Sequence, residues 1–404
     1  MNLDRFARLR EVQSRAYELA PAIREIFNAA GMRPSDIRSA DDLARIPVFK
    51  KESMVDRQRE NPPFGGFLAA APEQVDRIFV SPGPIAEPQL KNEADGFGFT
   101  EAFAASGIGP RDIALNTWSY HLVPAGLLLD EGLRGTGATV VPAGTGAREI
   151  QAKLILDLNV TCICASTAFF MALVETLEGM GHSLPQGWRL RSALLGGELG
   201  DWMGKRRAIE SRYRIRTFSV YATGDFGVVG FEDGEEGYVI GSQRIVQICD
   251  PVSGEPLALG EPGEIVVSTL NQGWPLIRFG TGDVAIARSL REDGTVGRIS
   301  MLQGRVGQAV KVREIFVYPR QIEELAIALP GVARVQAIVT RPLHREEISL
   351  LVALQPGARE EIHLEAIAKR FQDLSRLKAD HIEFVAPDAI AEDASLLVDR
   401  KADS

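Results

Sequence analysis

Between residues 78 and 221 the chain alternates short apolar runs with stretches of helical apolar spacing, and few folds accept that order. Apolar runs stand at 78–80, 112–117, 138–142, 160–164, 192–195 and 217–221. Helix-like segments at 122–134, 147–158 and 168–178 lie between them. Repeated strand–helix–strand units cover both faces of a sheet with their own helices, so the strands run largely parallel. Ile78-Phe-Val80 reads as a buried strand entering a Pro/Gly turn. Upstream, Leu3, Phe6, Leu9, Val12, Ile23 and Phe27 recur near helical spacing. Residues 3–30 therefore read as one amphipathic helix stopped by Gly31.

Past residue 230 the texture changes. Strand-like runs at 238–240, 244–249 and 263–270 are joined by Asp, Gly and Pro turns, as in a small antiparallel subdomain. After Gly304 the order is strand 309–317, helix 319–329, strands 333–340 and 347–354, helix 359–376 and strand 382–386. This is the split β-α-β pattern of a small α+β unit. The expected fold class is α/β. A large N-terminal domain, 1–303, has mostly parallel sheets and a β subdomain at 230–303; a small α+β domain, 304–404, follows. A chain of 404 residues is too long for one ordinary core.

Apolar content of 45% and charged content of 25% are those of a globular protein, and no run of 18 apolar residues offers a membrane span. A net charge of −9 excludes a nucleic-acid surface, while a local basic pocket for a phosphorylated ligand stays compatible. Cys162, Cys164 and Cys249 cannot pair fully, and the first two alternate in an apolar run, so core thiols are expected. The N-terminus is charged from Asp4 onward and has no apolar core, which suits a reducing, cytoplasmic setting.

Four short segments carry chemistry by their order: Tyr221-Ala-Thr-Gly-Asp225, Pro275-Leu-Ile-Arg-Phe-Gly-Thr-Gly-Asp283, Gly304-Arg305 and Lys311-Val-Arg-Glu-Ile-Phe-Val-Tyr-Pro319. Each alone is an ordinary turn or strand. Asp283 closes a Thr-Gly-Asp tripeptide, which by itself reads as a strand-end turn. Ser192-Ala-Leu-Leu-Gly-Gly-Glu198 is a strand running into a glycine turn, where a planar ring can approach the backbone closely. A turn carboxylate such as Asp225 suits a hard cation, and equally suits a helix cap.

In that order the segments resemble the adenylate-forming acyl-CoA synthetase superfamily, and within it the phenylacetate–CoA ligase family, over roughly residues 40–401. The resemblance implies an N-terminal domain that binds ATP and a carboxylic acid, and a C-terminal lid that rotates between two half-reactions. The acid is first joined to AMP, with pyrophosphate leaving. A thiol, usually that of coenzyme A, then displaces AMP. Carried over position by position, Gly196, Gly197 and Glu198 pack against adenine, Tyr221 stacks on it, and Ala222 and Thr223 complete the segment. Asp283 and Arg305 hold the ribose, with Arg278 and Thr281 flanking. Asp225 holds Mg²⁺, and Arg305, Lys311 and His121 are the catalytic candidates. His121, in Tyr120-His-Leu-Val-Pro-Ala-Gly126, either gates the acid pocket or is a solvated turn residue.

The chain departs from the family pattern at several places. The phosphate loop reads Ser81-Pro-Gly-Pro-Ile-Ala-Glu-Pro88, with Glu87 in the lysine position and prolines that lack an N–H. A carboxylate facing phosphate some 6 Å away, at an effective dielectric of 20, would cost about 3 kcal/mol. Gly224 stands in a threonine position and Glu314 in a glycine position. The C-terminal lysine's place holds Ala394 or Ser395, with Lys401 about six residues later. Gly307 or Gln308 is the expected hinge. The expected function is ATP- and Mg²⁺-dependent activation of an aromatic or hydrophobic acid with transfer to CoA. The alternatives are an amine or other acceptor, or a catalytically impaired nucleotide-binding homologue. Expected partners are small molecules, with no nucleic acid and no membrane; whether the chain is a monomer or a homodimer stays open.

Overall fold

The computed structural model describes residues 4–81, 85–91, 97–196, 202–313, 315–342, 346–358 and 360–401. The alternating region forms a five-stranded parallel sheet in the order Thr139–Pro142, Ile113–Asn116, Cys162–Ser166, Ser192–Gly196, Arg216–Phe218. Its two faces follow from the two-residue period of a strand. Leu115, Ile163, Ala193 and Leu195 face a core with Ile155, Phe170 and Leu173 from the intervening helices. Ala114, Cys162, Cys164 and Leu194 face a second core with Phe103, Leu128 and Leu133. All three cysteines are buried thiols, as expected of core positions.

A larger sheet runs from Arg244–Cys249 through Pro262–Thr269, Phe279–Leu290, Val296–Ile299, Tyr238–Ile240 and Gly227–Phe231 to Val220–Thr223. The strand Phe49–Lys50 joins it in parallel, with Phe49 opposite Phe279. The chain divides into two compact units. One takes Met1–Glu261, Ile265–Thr281 and Ala287–Met301; the other takes Pro262–Glu264, Gly282–Ile286 and Leu302–Ser404. The second unit has its own core, in which Ile322, Leu325, Ile367 and Phe371 pack on Val335, Ile348, Leu350 and Val352.

Three local expectations change. The helix expected at 3–30 is two helices, Arg5–Leu19 and Pro21–Ala29, because Ala20 is extended and Pro21 starts the second. Proline lacks the N–H that an interior turn needs and is pre-set for a first turn. The segment at 78–80 is not a buried strand. It belongs to Val75–Ser81, which among the described residues pairs with Ile85–Leu90 alone, as an antiparallel ribbon; Phe79 is buried while Ile78 and Val80 are exposed. In the second unit the strand expected at 309–317 is two short strands, Val310–Val312 and Ile315–Val317, paired with each other. The main sheet there is His381–Val385, Glu347–Leu354, Val332–Thr340 and Leu397–Asp399, so the last strand replaces the first of the expected pattern.

Candidate functional site

Ligands of parallel sheets bind outside the carboxyl ends of the strands. Here those ends border an apolar cavity of about 200 Å³, lined among others by Phe99, Trp118, Leu129, Leu194, Gly196 and Ala222. Gly196 and Ala222, both expected at the nucleotide, thus meet at one cavity. At Gly196 the ring that approaches the backbone is the protein's own. A Cβ on Gly196 would stand 3.3 Å from the Trp118 indole. Gly197 and Glu198 lie outside the described residues. Nearby, the Tyr120 hydroxyl accepts from Asn116 Nδ2 at 2.9 Å and donates to Asp130 at 3.1 Å. Burial and the Asp130 charge raise its pKa. His121 is exposed on the loop beyond.

The turn after Val220–Thr223 carries Asp225 and is held from below. The Trp274 indole donates to the Asp225 carbonyl at 2.9 Å, and the buried Arg244 guanidinium donates to the carbonyl of Phe226. Gly227 closes the turn at φ +76, with its missing Cβ pressed against Phe97, a place where only glycine fits. Tyr221 is buried. The Asp225 side chain is 3% exposed. Its Oδ2 accepts from Lys51 Nζ at 2.7 Å, while its Oδ1 and the Thr223 hydroxyl have no hydrogen-bond partner among the described residues. Lys51 opens the helix Lys51–Glu60, directly after the strand that pairs with Phe279.

Glu87 joins the same cluster. It is 2% exposed, and its Oε1 accepts from Ser81 Oγ at 2.8 Å. Its Oε2 is buried without a hydrogen-bond partner among the described residues. Burial, reinforced by the Asp225 charge, pushes its carboxyl up to about 8, against the opposing pull of Ser81 and Lys51. The space that a side chain at Gly224 would need is filled by this carboxyl, with Oε1 2.6 Å from the would-be Cβ. The tip of the loop, 82–84, lies outside the described residues.

In the second unit Asp283 and Arg305 face each other across paired strands, and Arg305 Nε reaches Asp283 Oδ1 at 3.4 Å. Gly282, at φ +75, donates its N–H to Glu264 at 3.0 Å, and Asp283 lies within the strand Phe279–Leu290 rather than on the turn expected from the sequence. Lys311 lies on Val310–Val312 with its backbone opposite Phe316; nothing of its side chain is described. Gly307 and Gln308, the positions expected for the hinge, lie in a single 3₁₀ turn, Val306–Gln308. Glu314 lies outside the described residues. Lys401 pairs with Asp399 at 3.1 Å and stands 4.0 Å from Glu346. Arg278, expected to flank the site, has another set of partners. Its buried guanidinium donates to the carbonyls of Ala44, Ile46 and Gly254, tying three segments of the first unit together.

Among the described residues no group of three metal-ligating side chains occurs. Mg²⁺ is usually bound through one or two carboxylates with substrate phosphates and water. The unpaired Oδ1 of Asp225 fits such a single contact. Sequence reasoning missed Lys51, Arg244 and Trp274. Only their distance along the chain from Asp225 hid them, for each is an ordinary residue in its own segment.

The fold is that of the adenylate-forming CoA ligases: 2-hydroxyisobutyryl-CoA ligase, solved in an open conformation with 2-HIB-AMP and CoA, matches with a TM-score of 0.83 at 21% identity, over 98% of this chain and 90% of that one. No protein-family model matches the chain. The chain is 29% identical over 392 residues to the phenylacetate-coenzyme A ligase of Thermus thermophilus, covering 93% of this chain and 85% of that protein. It is 30% identical over 370 residues to the phenylacetate-coenzyme A ligase of Escherichia coli, covering 87% and 82%. The chain belongs to the phenylacetate–CoA ligase family. Among the described residues no helix is long and apolar enough to cross a membrane.

Proposed function

We propose that this chain activates a small hydrophobic carboxylic acid, of about the size of an arylacetic acid, as its acyl-adenylate and transfers it to coenzyme A. The apolar cavity beside Gly196 and Ala222 carries this reading. An apolar cavity of about 150 Å³ admits benzene, and sites for drug-sized ligands run to about 300–1,000 Å³. About 200 Å³ therefore suits one ring with a short acidic arm.

In the first half-reaction a carboxylate oxygen of the acid attacks the α-phosphorus of ATP and the bond to pyrophosphate breaks. In the second the CoA thiol attacks the acyl carbon and AMP leaves. Asp283 accepts from the ribose hydroxyls and Arg305 flanks it; Tyr221, Ala222 and Thr223 face the adenine side. Asp225 Oδ1 would hold Mg²⁺, which supplies positive charge between phosphate oxygens when bound. Lys311 and the turn at Val306–Gln308 belong to the moving lid.

Pyrophosphate release on adding ATP, Mg²⁺ and a panel of acids tests the first step, and CoA-dependent AMP release tests the second. Asp283→Ala is expected to abolish nucleotide binding; unchanged ATP affinity in calorimetry refutes the ribose assignment. Pyrophosphate release without any response to CoA points to another acceptor. Absence of both releases points to a nucleotide-binding homologue without catalysis.

A further inference from the structure

We propose that Lys51, at the start of the helix Lys51–Glu60, is the cation that receives the nucleotide's phosphates in this chain, in place of a lysine in the loop at 81–88. The proposal rests on the adenylate reading above. Three observations in the first unit lead to it. The loop position where a cation is expected holds Glu87, and that side chain is folded inward, 2% exposed, with Ser81 Oγ on one oxygen and Gly224 beneath it. Gly224 has no side chain because the carboxyl occupies its space, so the two departures from the family pattern form a single exchange. Beside them Lys51 Nζ lies 2.7 Å from Asp225 Oδ2, although the two residues are 174 positions apart in sequence.

The exposure of the pair is lopsided. The Asp225 side chain is 3% exposed and that of Lys51 28%. A lysine that only neutralised a buried carboxylate would gain nothing from an open flank, whereas an ammonium with three donors can keep one on Asp225 and offer others to an incoming anion. The Oδ1 of Asp225, without a partner among the described residues, remains on the same carboxylate for a cation arriving with the phosphates. Lysine is well suited to this as a compact point charge on a flexible stem.

The test is calorimetric binding of Mg·ATP and of adenosine to the full chain, with Lys51→Met and Glu87→Gln. A charge-assisted hydrogen bond is worth about 1.5–3 kcal/mol, so Lys51→Met should lower ATP affinity about 10- to 100-fold and leave adenosine affinity unchanged. Glu87→Gln should leave ATP affinity equal or higher. A Lys51→Met protein that keeps its ATP affinity, or loses ATP and adenosine alike, overturns the proposal. Amine acylation of the wild-type protein, read by mass spectrometry, covers the case in which the variant fails to fold. ATP should protect Lys51 and adenosine should not; equal labelling with and without ATP overturns the assignment. Wild-type protein that binds no ATP overturns the adenylate reading itself, whereas binding that survives Lys51→Met removes only Lys51.

Discussion

Gly224→Ala is a sharp test of whether Glu87 and Gly224 are coupled, because the sign of its effect depends on residue 87. The φ of Gly224 is outside the left-handed region, so its backbone accepts alanine without strain. On that ground alone the substitution would stabilise the protein by about 0.4–1 kcal/mol, through a less flexible unfolded chain. The structure reverses the sign. The new Cβ would stand 2.6 and 2.8 Å from the two Glu87 oxygens and 3.0 Å from its Cδ. The carboxyl is buried and must either yield, losing its bond from Ser81 at about 0.5–1.5 kcal/mol, or strain the packing at about 1–3 kcal/mol. The net expectation is a loss of about 1–2 kcal/mol in the wild-type background. With Glu87→Ala the obstacle is gone and Gly224→Ala should be neutral or stabilising. Scanning calorimetry of the four proteins closes the cycle. Each kcal/mol corresponds to about 2–4 °C for a unit of 150–250 residues, and less for a larger one. Equal destabilisation in both backgrounds, or a wild-type background that tolerates alanine, refutes the coupling.

Two further outcomes follow from the same geometry. The Glu87 carboxyl is held up to about 8 by burial, against 4.5 when free, so between those values the folded chain binds more protons than the unfolded one. Stability should therefore fall as pH rises from about 5 to 8, by up to about 1.4 kcal/mol per pH unit. Glu87→Gln in metal-free buffer should flatten that slope, and an unchanged slope in thermal unfolding counts against the burial account. At the cavity, Ala125 is one of the lining residues. Ala125→Phe should fill the space and raise KM for arylacetic acids about tenfold while leaving adenosine binding intact. Equal acid selectivity in the two proteins would place the acid elsewhere.

The parallel sheet was legible because its strands are short, continuous apolar runs between amphipathic helices, a pattern that burial on both faces imposes. The break at Pro21 was also written in the sequence, yet the apolar spacing ran across it and masked it. The ribbon Val75–Ser81 with Ile85–Leu90 misled because Ile78, Phe79 and Val80 are equally apolar while only Phe79 is buried. The strand Leu397–Asp399 is three residues long, too short for any period to show. At the site, the motif residues could be named one by one, but Lys51 and Glu87 could not be placed. Their meaning depends on a contact with residues 224 and 225, and long-range contacts leave no local pattern.

That difference decides how an inverted charge should be read. Taken along the sequence, Glu87 replaces an attractive charge with a repulsive one, at about 3 kcal/mol against a phosphate 6 Å away. Such a cost requires an ionised carboxylate facing the ligand. The structure supplies neither condition, since the side chain is 2% exposed and its carboxyl is raised to about 8, which keeps it mostly protonated at pH 7. The position has lost a positive charge without gaining a negative one. A deficit of one charge can be met by a single cation from elsewhere, and Lys51 stands 2.7 Å from Asp225, the neighbour of Gly224. The altered loop is therefore compatible with nucleotide binding for a reason that is electrostatic and local, and it stops being so if Glu87 is shown to be ionised at neutral pH in the folded protein.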